Sequence, residues 1–111
     1  MLADTAPDAL VVLCTCPDEA TATGIATALL AEKLAACVNC VAGIRSMYRW
    51  DGHIRDDTEV LLVIKTSAAR YGALEALLRV QHPYEMPEII ALPVVAGAAD
   101  YLHWIRQATS P

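Results

Sequence analysis

The pattern of apolar residues predicts four β-strands along the chain. The first, second and fourth are residues 9–15, 37–50 and 89–95, and the third runs back from a turn at residues 51–52 through residue 59 to residue 66. The apolar run at 60–64 is unbroken, which is typical of a central strand covered on both faces. Pro93 has no amide hydrogen to donate to a neighbouring strand, so we expect the last strand at an edge of the sheet.

Between these runs, apolar residues recur every three or four positions, and this spacing predicts two amphipathic helices. The first begins after Asp18, a preferred N-cap residue, and ends near Leu34. The second is capped by Ser67 and ends before Pro83, because proline disfavours helical geometry at the residue that precedes it. A short third helix is predicted around residues 101–105.

The order of the predicted elements is strand, helix, strand, strand, helix, strand, followed by one additional helix. This is the split βαββαβ arrangement of ferredoxin-like α+β folds. In that fold the strands form one antiparallel sheet in the order 4-1-3-2, which also places Pro93 at an edge. The length suits a single domain over residues 1–111, with residues 1–8 as a polar, flexible N-terminus.

The second and third predicted strands form a long hairpin. Asp51 and Gly52 are a strong signal for its turn, and Gly43 predicts a bulge or bend in the second strand. A strand of about 14 residues spans roughly 46 Å, whereas a compact chain of this length is only about 34 Å across. We therefore expect the hairpin to project beyond its own domain and to dock against identical chains. The alternative is a hairpin that bends back onto its own domain.

The composition supports a subunit interface and excludes some partners. Hydrophobic residues make up 56% of the chain and charged residues 19%, which is more apolar surface than a domain of this size buries alone. The net charge of -5, without a basic cluster, argues against nucleic acid as a partner. No run has the length of a membrane span and the N-terminus lacks a signal-peptide pattern, so we expect a cytoplasmic protein.

Three side chains with metal-binding chemistry are distant in sequence but close in the predicted topology. Cys14 lies near the end of the first strand, His82 in the loop that leads to the fourth strand, and Glu88 at the start of that strand. Because these strands are neighbours, the three groups should meet at one end of the sheet. Thiolate, imidazole and carboxylate suit a transition metal such as copper or zinc, and suit Mg²⁺ or Ca²⁺ poorly. Cys16 projects to the same face as Cys14, which would bring a second thiol near.

Other roles for the same residues are open. Cys14 is also typical of a small buried residue, His82 of a helix cap, and Glu88 of a partner for Arg or Lys, with Lys65 as one candidate. The same set resembles a nucleophile, a base and an orienting acid. However, no glycine-rich turn offers an oxyanion hole, so we do not expect an enzyme.

Cys37 and Cys40 have the spacing of a redox pair. In an extended segment, residues three apart point to opposite faces, whereas a working redox pair places its first cysteine at a helix N-terminus. The sequence therefore favours four reduced thiols in a cytosolic chain over a disulfide.

A set of short motifs, taken together, resembles the CutA family. The motifs are residues 34–39, 46–50 with Gly52, 59–66, 82–84, 87–89, and Tyr101 with Trp104. They occur in order and at compatible spacing from about residue 10 to residue 105.

The resemblance implies a ferredoxin-like fold and a tight, PII-like homotrimer in which long hairpins dock against neighbouring sheets. It also implies a role in divalent-cation tolerance and the binding of copper as Cu²⁺, without a settled enzymatic activity. The copper ligands of the family correspond here to Cys14, His82 and Glu88, whereas Cys16 and Cys40 are less typical of it. The alternative function is a signalling or scaffold trimer that binds a small molecule or a protein in the clefts between subunits.

Overall fold

A computed structural model of the chain describes residues 8–111 and contains four strands and three α-helices over that range. In chain order they are β1 (Ala9–Cys16), α1 (Glu19–Ala31), β2 (Cys37–Trp50), β3 (His53–Ser67), α2 (Tyr71–Gln81), β4 (Ile90–Pro93) and α3 (Ala99–Ala108). The strands form one antiparallel sheet in the order β2-β3-β1-β4. This is the predicted order 4-1-3-2 counted from the opposite edge, so the predicted α+β fold is confirmed.

Helix α1 begins as the sequence predicts and ends slightly earlier. The side chain of Asp18 accepts a hydrogen bond from the amide of Thr21 at 2.8 Å, which makes Asp18 the N-cap. The helix ends at Ala31, before the predicted Leu34, because Lys33 adopts a left-handed φ of 57°. A left-handed residue after the last turn is a common helix end.

The start of α2 differs from the prediction, and its end agrees with it. Ser67 does not cap the helix: it is the last residue of β3, and its hydroxyl accepts a hydrogen bond from the Thr109 hydroxyl at 3.0 Å. A short 3₁₀ turn, Ala68–Arg70, leads into α2 instead. At the other end, His82 is extended, with φ −76° and ψ 135°, as Pro83 requires.

The core lies between one face of the sheet and the two helices α1 and α2. Its central side chains are Val12, Cys14, Cys16, Ile25, Leu29, Leu62, Ile64, Leu74 and Leu78. Every second residue of β1 faces the helices. The thiols of Cys14 and Cys16, at the C-terminal end of this strand, therefore lie in the core.

The β2–β3 hairpin has the predicted turn and bulge. Asp51 and Gly52 both have positive φ, 53° and 77°, as a two-residue hairpin turn requires. The pairing register shifts between Val41 and Ile44, where Gly43 has a φ of 73°, so Gly43 marks a bulge.

The hairpin projects beyond the rest of the described chain. Residues 53–58 of β3 are all exposed, and the molecule measures 50 × 29 × 22 Å along its principal axes. The predicted projection is confirmed, and the hairpin does not bend back onto its own domain.

The C-terminal elements differ from the prediction in length. Strand β4 covers only Ile90–Pro93 and pairs with β1 at an edge of the sheet, as Pro93 predicts. Helix α3, Ala99–Ala108, is longer than the short helix predicted around residues 101–105. Across residues 8–111, no helix combines the length and the apolar character needed to cross a bilayer. The predicted flexible segment 1–8 lies, apart from Asp8, outside the described residues.

Candidate metal centre

The two thiols of β1 lie side by side on the face that packs against the helices. Cys14 pairs with Leu62 and Cys16 with Val60 of β3, and both cysteines have an exposed fraction of 0%. They point the same way because they are two residues apart on a strand. Pairing with β3 along the whole of β1 holds this pair in a fixed position, whereas β4 pairs only with residues 10–13.

The loop after α2 brings an imidazole to the same place. Ligand atoms of Cys14, Cys16 and His82 all lie within 4.8 Å of one another, and all three residues are buried. The structure therefore brings together two of the three predicted ligands, Cys14 and His82. Glu88 is exposed and is not part of this group among the described residues.

The two neighbouring thiols shift each other's pKa in opposite directions. The adjacent Cys16 thiol, together with burial and the nearby charge of Glu88, raises the pKa of the Cys14 thiol. The adjacent Cys14 thiol lowers the pKa of Cys16. Cys16 is thus the sulfur of the pair that loses its proton first.

Both ring nitrogens of His82 have hydrogen-bond partners. The backbone amide of Tyr84 donates to Nδ1 at 3.1 Å, which assigns the ring proton to Nε2. Nε2 then donates to the carbonyl of Thr15, 2.8 Å away, on the strand between the two cysteines. His82 also ends α2, since its backbone amide donates to the carbonyl of Leu78 at 2.8 Å. The predicted helix-ending role and the predicted position near Cys14 are thus both observed.

Tyr84 fastens this loop to the sheet. Its ring lies 4.7 Å from the His82 ring, centroid to centroid, and its hydroxyl donates to Glu59 Oε2 at 2.6 Å. Burial and this hydrogen bond raise the pKa of the Tyr84 phenol. Sequence reasoning anticipated a polar contact for Tyr84 but missed Glu59 as its partner. The signal was a carboxylate directly before the apolar run of the third strand.

Lys65 does not pair with Glu88, which had been one predicted alternative. Its ammonium group instead donates to the side chain of Asn39 and lies 4.0 Å from the sulfur of Cys37, both on the neighbouring strand. Cys37 is half-buried and Cys40 exposed within the extended strand β2. Cys37 and Cys40 therefore lack the helix N-terminus that a redox pair needs.

A pocket of about 450 Å³ lies beside the dithiol end of β1. The bulge in β2 forms one wall with Gly43, and Val60, the pairing partner of Cys16, forms another. Asp18, Glu19 and Glu59 also line the pocket, so its charged lining is acidic.

The donor set fits a transition-metal ion. Sulfur and imidazole nitrogen are the ligands that zinc and copper prefer, whereas Mg²⁺ and Ca²⁺ require several oxygens. The buried group of Cys14, Cys16 and His82 offers two sulfurs and one imidazole. These residues could hold such an ion if one imidazole nitrogen gives up its present hydrogen bond.

Comparisons with known proteins agree with this fold. The sequence profile of the CutA1 divalent ion tolerance proteins matches residues 10–108. The divalent-cation tolerance protein CutA of Citrobacter koseri is 48% identical over 100 residues, which cover 90% of this chain and 87% of that relative.

Solved structures of similar sequence share the whole fold. The divalent cation tolerance protein Cut A1 from Thermus thermophilus superposes with a TM-score of 0.90 at 46% identity, covering 92% of this chain and 99% of that one. CutA1 from Oryza sativa gives 0.90 at 40% identity, with coverages of 96% and 98%. The Archaeoglobus fulgidus protein, described as a periplasmic divalent cation tolerance protein CutA, gives 0.89 at 32% identity, with coverages of 92% and 99%. The match of the profile to nearly all described residues and the 48% identity to a relative show that the chain belongs to the CutA1 divalent ion tolerance protein family.

Proposed function

We propose that this protein is a non-enzymatic homotrimer that binds a divalent transition-metal ion and serves in divalent-cation tolerance. Copper is the first candidate ion and zinc the second. The observation that supports this proposal most strongly is the meeting of Cys14 and His82, from separate parts of the chain, in one buried group within 4.8 Å. The naming of the Citrobacter koseri relative as a divalent-cation tolerance protein supports the physiological role.

Cys14 and His82 are the two ligands in this proposal, and Glu88 is the neighbouring carboxylate. Cys14 supplies sulfur from a rigid central strand, and the Thr15 carbonyl orients the His82 ring. Glu88 is exposed, but its charge acts on the Cys14 thiol and so would favour a cation there. A bound ion would be sequestered from solvent, because Cys14 and His82 are both buried.

The trimer is supported by the shape and surface of the chain. Met47, Tyr48, Trp50 and Ile54 are large apolar residues that remain exposed on the projecting hairpin. Ile90 and Leu92 are half-exposed on the edge strand β4. Apolar groups on both a projecting arm and a sheet edge fit a closed assembly of identical chains.

A cytoplasmic location is part of the same proposal. The four cysteines are free thiols, which is the state that a reducing compartment maintains. Fractionation of cells that express the full chain tests this location directly, and recovery in a periplasmic fraction would contradict it.

Metal titration of the reduced, chelator-stripped protein under anaerobic conditions tests the binding function. We expect stoichiometric uptake of Zn²⁺ or Cu²⁺ by the parent protein, and weaker uptake by Cys14→Ala and His82→Ala. Binding should weaken in acid, because protons compete for thiolate and imidazole. Cys40→Ala and His103→Ala are matched controls, since both residues are exposed and lie outside the buried group.

The fold of each variant is checked by circular dichroism and its oligomeric mass by light scattering. If Cys14→Ala and His82→Ala bind metal as tightly as the two controls while remaining folded, the site assignment is wrong. If the parent protein takes up neither ion, the binding function itself is wrong.

A further inference from the structure

Cys16 is the one member of the buried group that the proposed function does not use. Its ligand atom lies within 4.8 Å of those of Cys14 and His82, whereas Glu88 lies outside the group among the described residues. We propose that Cys16 is the third ligand, so that Cys14, Cys16 and His82 form a dithiolate–imidazole site for a thiophilic divalent ion, Zn²⁺ in particular. This inference rests on the proposed metal-binding function and specifies its ligands and its ion.

The distance between the ligand atoms suits one metal ion bound by both sulfurs. In a tetrahedral zinc site with Zn–S bonds of about 2.3 Å, two sulfurs lie about 3.8 Å apart. Ligand atoms within 4.8 Å of one another need to move by only about 1 Å to reach that geometry. A disulfide is less suited, because residues two apart on a strand keep their Cα atoms about 6.6 Å apart, close to the upper limit of about 6.8 Å for bridged cysteines, and their sulfurs would have to approach to about 2 Å.

The charge balance favours the second thiol over the exposed carboxylate. A buried divalent ion is costly unless its charge is compensated by its ligands. Thiolates at Cys14 and Cys16 cancel two positive charges within the buried group, and their two protons leave to solvent when the ion binds. Glu88 is exposed and lies outside the buried group of the described residues, so its carboxylate would have to move toward the thiols to act as a ligand.

The hydrogen bonds of His82 indicate which nitrogen is easier to free. Ligation through Nδ1 gives up only the bond from the Tyr84 amide and keeps the Nε2 donation to the Thr15 carbonyl. Ligation through Nε2 would lose the donation to the Thr15 carbonyl. The ring proton would then be on Nδ1, where it would face the amide hydrogen of Tyr84. A backbone carbonyl that accepts from the free ring nitrogen is the usual support of a metal-bound histidine.

The acidic pocket lies beside the end of β1 that carries the two thiols. Pro17, which follows Cys16, and Val60, which pairs with it, both line this pocket. The carboxylates of Asp18 and Glu59 share the pocket and would raise the local concentration of cations. Of the two sulfurs, that of Cys16 belongs to the residue whose chain neighbour and pairing partner line this pocket.

Co²⁺ and Zn²⁺ titrations of the reduced full-length protein test the ligand set. Thiolate-bound Co²⁺ absorbs in the near ultraviolet with an intensity that grows with the number of bound sulfurs. We expect a two-thiolate band in the parent protein, about half that intensity in Cys16→Ala, and displacement of Co²⁺ by Zn²⁺. The Zn²⁺ affinity of Cys16→Ala should fall by more than about 100-fold. Loss of a residue that only hydrogen-bonds to a metal ligand costs at most about 100-fold, so a larger fall indicates that a ligand itself is lost.

Two further variants separate this inference from the proposed function. Cys40→Ala removes an exposed thiol and should bind Zn²⁺ as the parent does. Glu88→Gln should weaken Zn²⁺ binding by less than about tenfold if Glu88 acts only through its charge. Thermal unfolding in a chelator shows whether Cys16→Ala, which loses a buried sulfur, remains folded.

The outcomes are distinct. Parent-like affinity and band intensity in folded Cys16→Ala, with binding lost in Cys14→Ala, would overturn the role of Cys16 and leave the proposed function standing. A loss of more than about 100-fold in Glu88→Gln alone would likewise overturn it in favour of the carboxylate. Absence of Zn²⁺ and Co²⁺ binding in the parent protein would overturn the inference, and absence of Cu²⁺ binding as well would overturn the proposed function.

Discussion

At the scale of single residues, the hydrogen bond between Tyr84 and Glu59 holds the site loop against the sheet. Glu59 is only 7% exposed, so its carboxylate depends on the Tyr84 hydroxyl, which donates to it at 2.6 Å. Tyr84→Phe removes the donor and leaves the carboxylate poorly solvated. We expect the free energy of unfolding to fall by about 1–3 kcal/mol. Urea unfolding at a fixed protein concentration measures this loss.

Tyr101→Phe is the matched control for this prediction. Tyr101 is 43% exposed, and its ring contacts only Trp104 among the aromatic pairs of the described chain. Its variant should unfold like the parent protein. Equal stability of Tyr84→Phe and Tyr101→Phe at neutral pH would show that the bond to Glu59 contributes nothing.

The residues of the site were predictable to different degrees. Cys14 and His82 could be placed together because the strand order determines which strand ends and loops are neighbours. Cys16 could be placed on the same face, but its distance from His82 depends on how the loop after α2 folds. The contact of Tyr84 with Glu59 holds that loop, and the carboxylate before the apolar run of β3 does not by itself identify its partner, which lies 25 residues away in the chain.

At the scale of elements, Gly52 and Gly24 differ in backbone conformation. Substitution by alanine should therefore have opposite effects on stability at the two positions. Gly52 has a φ of 77° in the hairpin turn, where alanine is strained by about 1–2 kcal/mol. Gly24 is exposed within α1, and an added Cβ there meets no atom within 4 Å other than those of its chain neighbours and of its own helix backbone. Gly52→Ala should therefore destabilise the protein, and Gly24→Ala should stabilise it by about 0.5–1 kcal/mol.

Thermal unfolding of both variants at one protein concentration measures the two effects. Each variant serves as the control for the other, because both add one methyl group to an exposed position. A rise in melting temperature for Gly52→Ala would contradict the left-handed turn, and a fall for Gly24→Ala would contradict the open helical site.

The elements that the sequence predicted well carry strong local signals. Asp51 and Gly52 favour a two-residue turn in any context, and Pro83 excludes helical geometry at His82. The cap at Ser67 was predicted wrongly because its hydroxyl binds Thr109, a residue of the distant C-terminus. Local propensity gives no information about such a tertiary partner.

At the scale of the whole molecule, the projecting hairpin leaves apolar surface that a single chain does not cover. Trp50 is 47% exposed and Ile54 is 76% exposed at the far end of this hairpin. The proposed trimer would bury such groups against identical chains. We therefore expect the parent protein to have about three times the chain mass of 11.9 kDa in light scattering at micromolar concentration.

Trp50→Glu tests whether this hairpin holds the assembly together. A carboxylate buried without a partner costs roughly 3 kcal/mol at each interface, which corresponds to more than 100-fold weaker association. We expect this variant to dissociate on dilution while the parent protein stays assembled. Val80→Glu is the control, because Val80 on α2 is 84% exposed and lies far from the hairpin in the chain, so the same charge there should leave the mass unchanged. A monomeric parent protein, or equal masses for both variants, would show that the exposed hairpin does not assemble the chains.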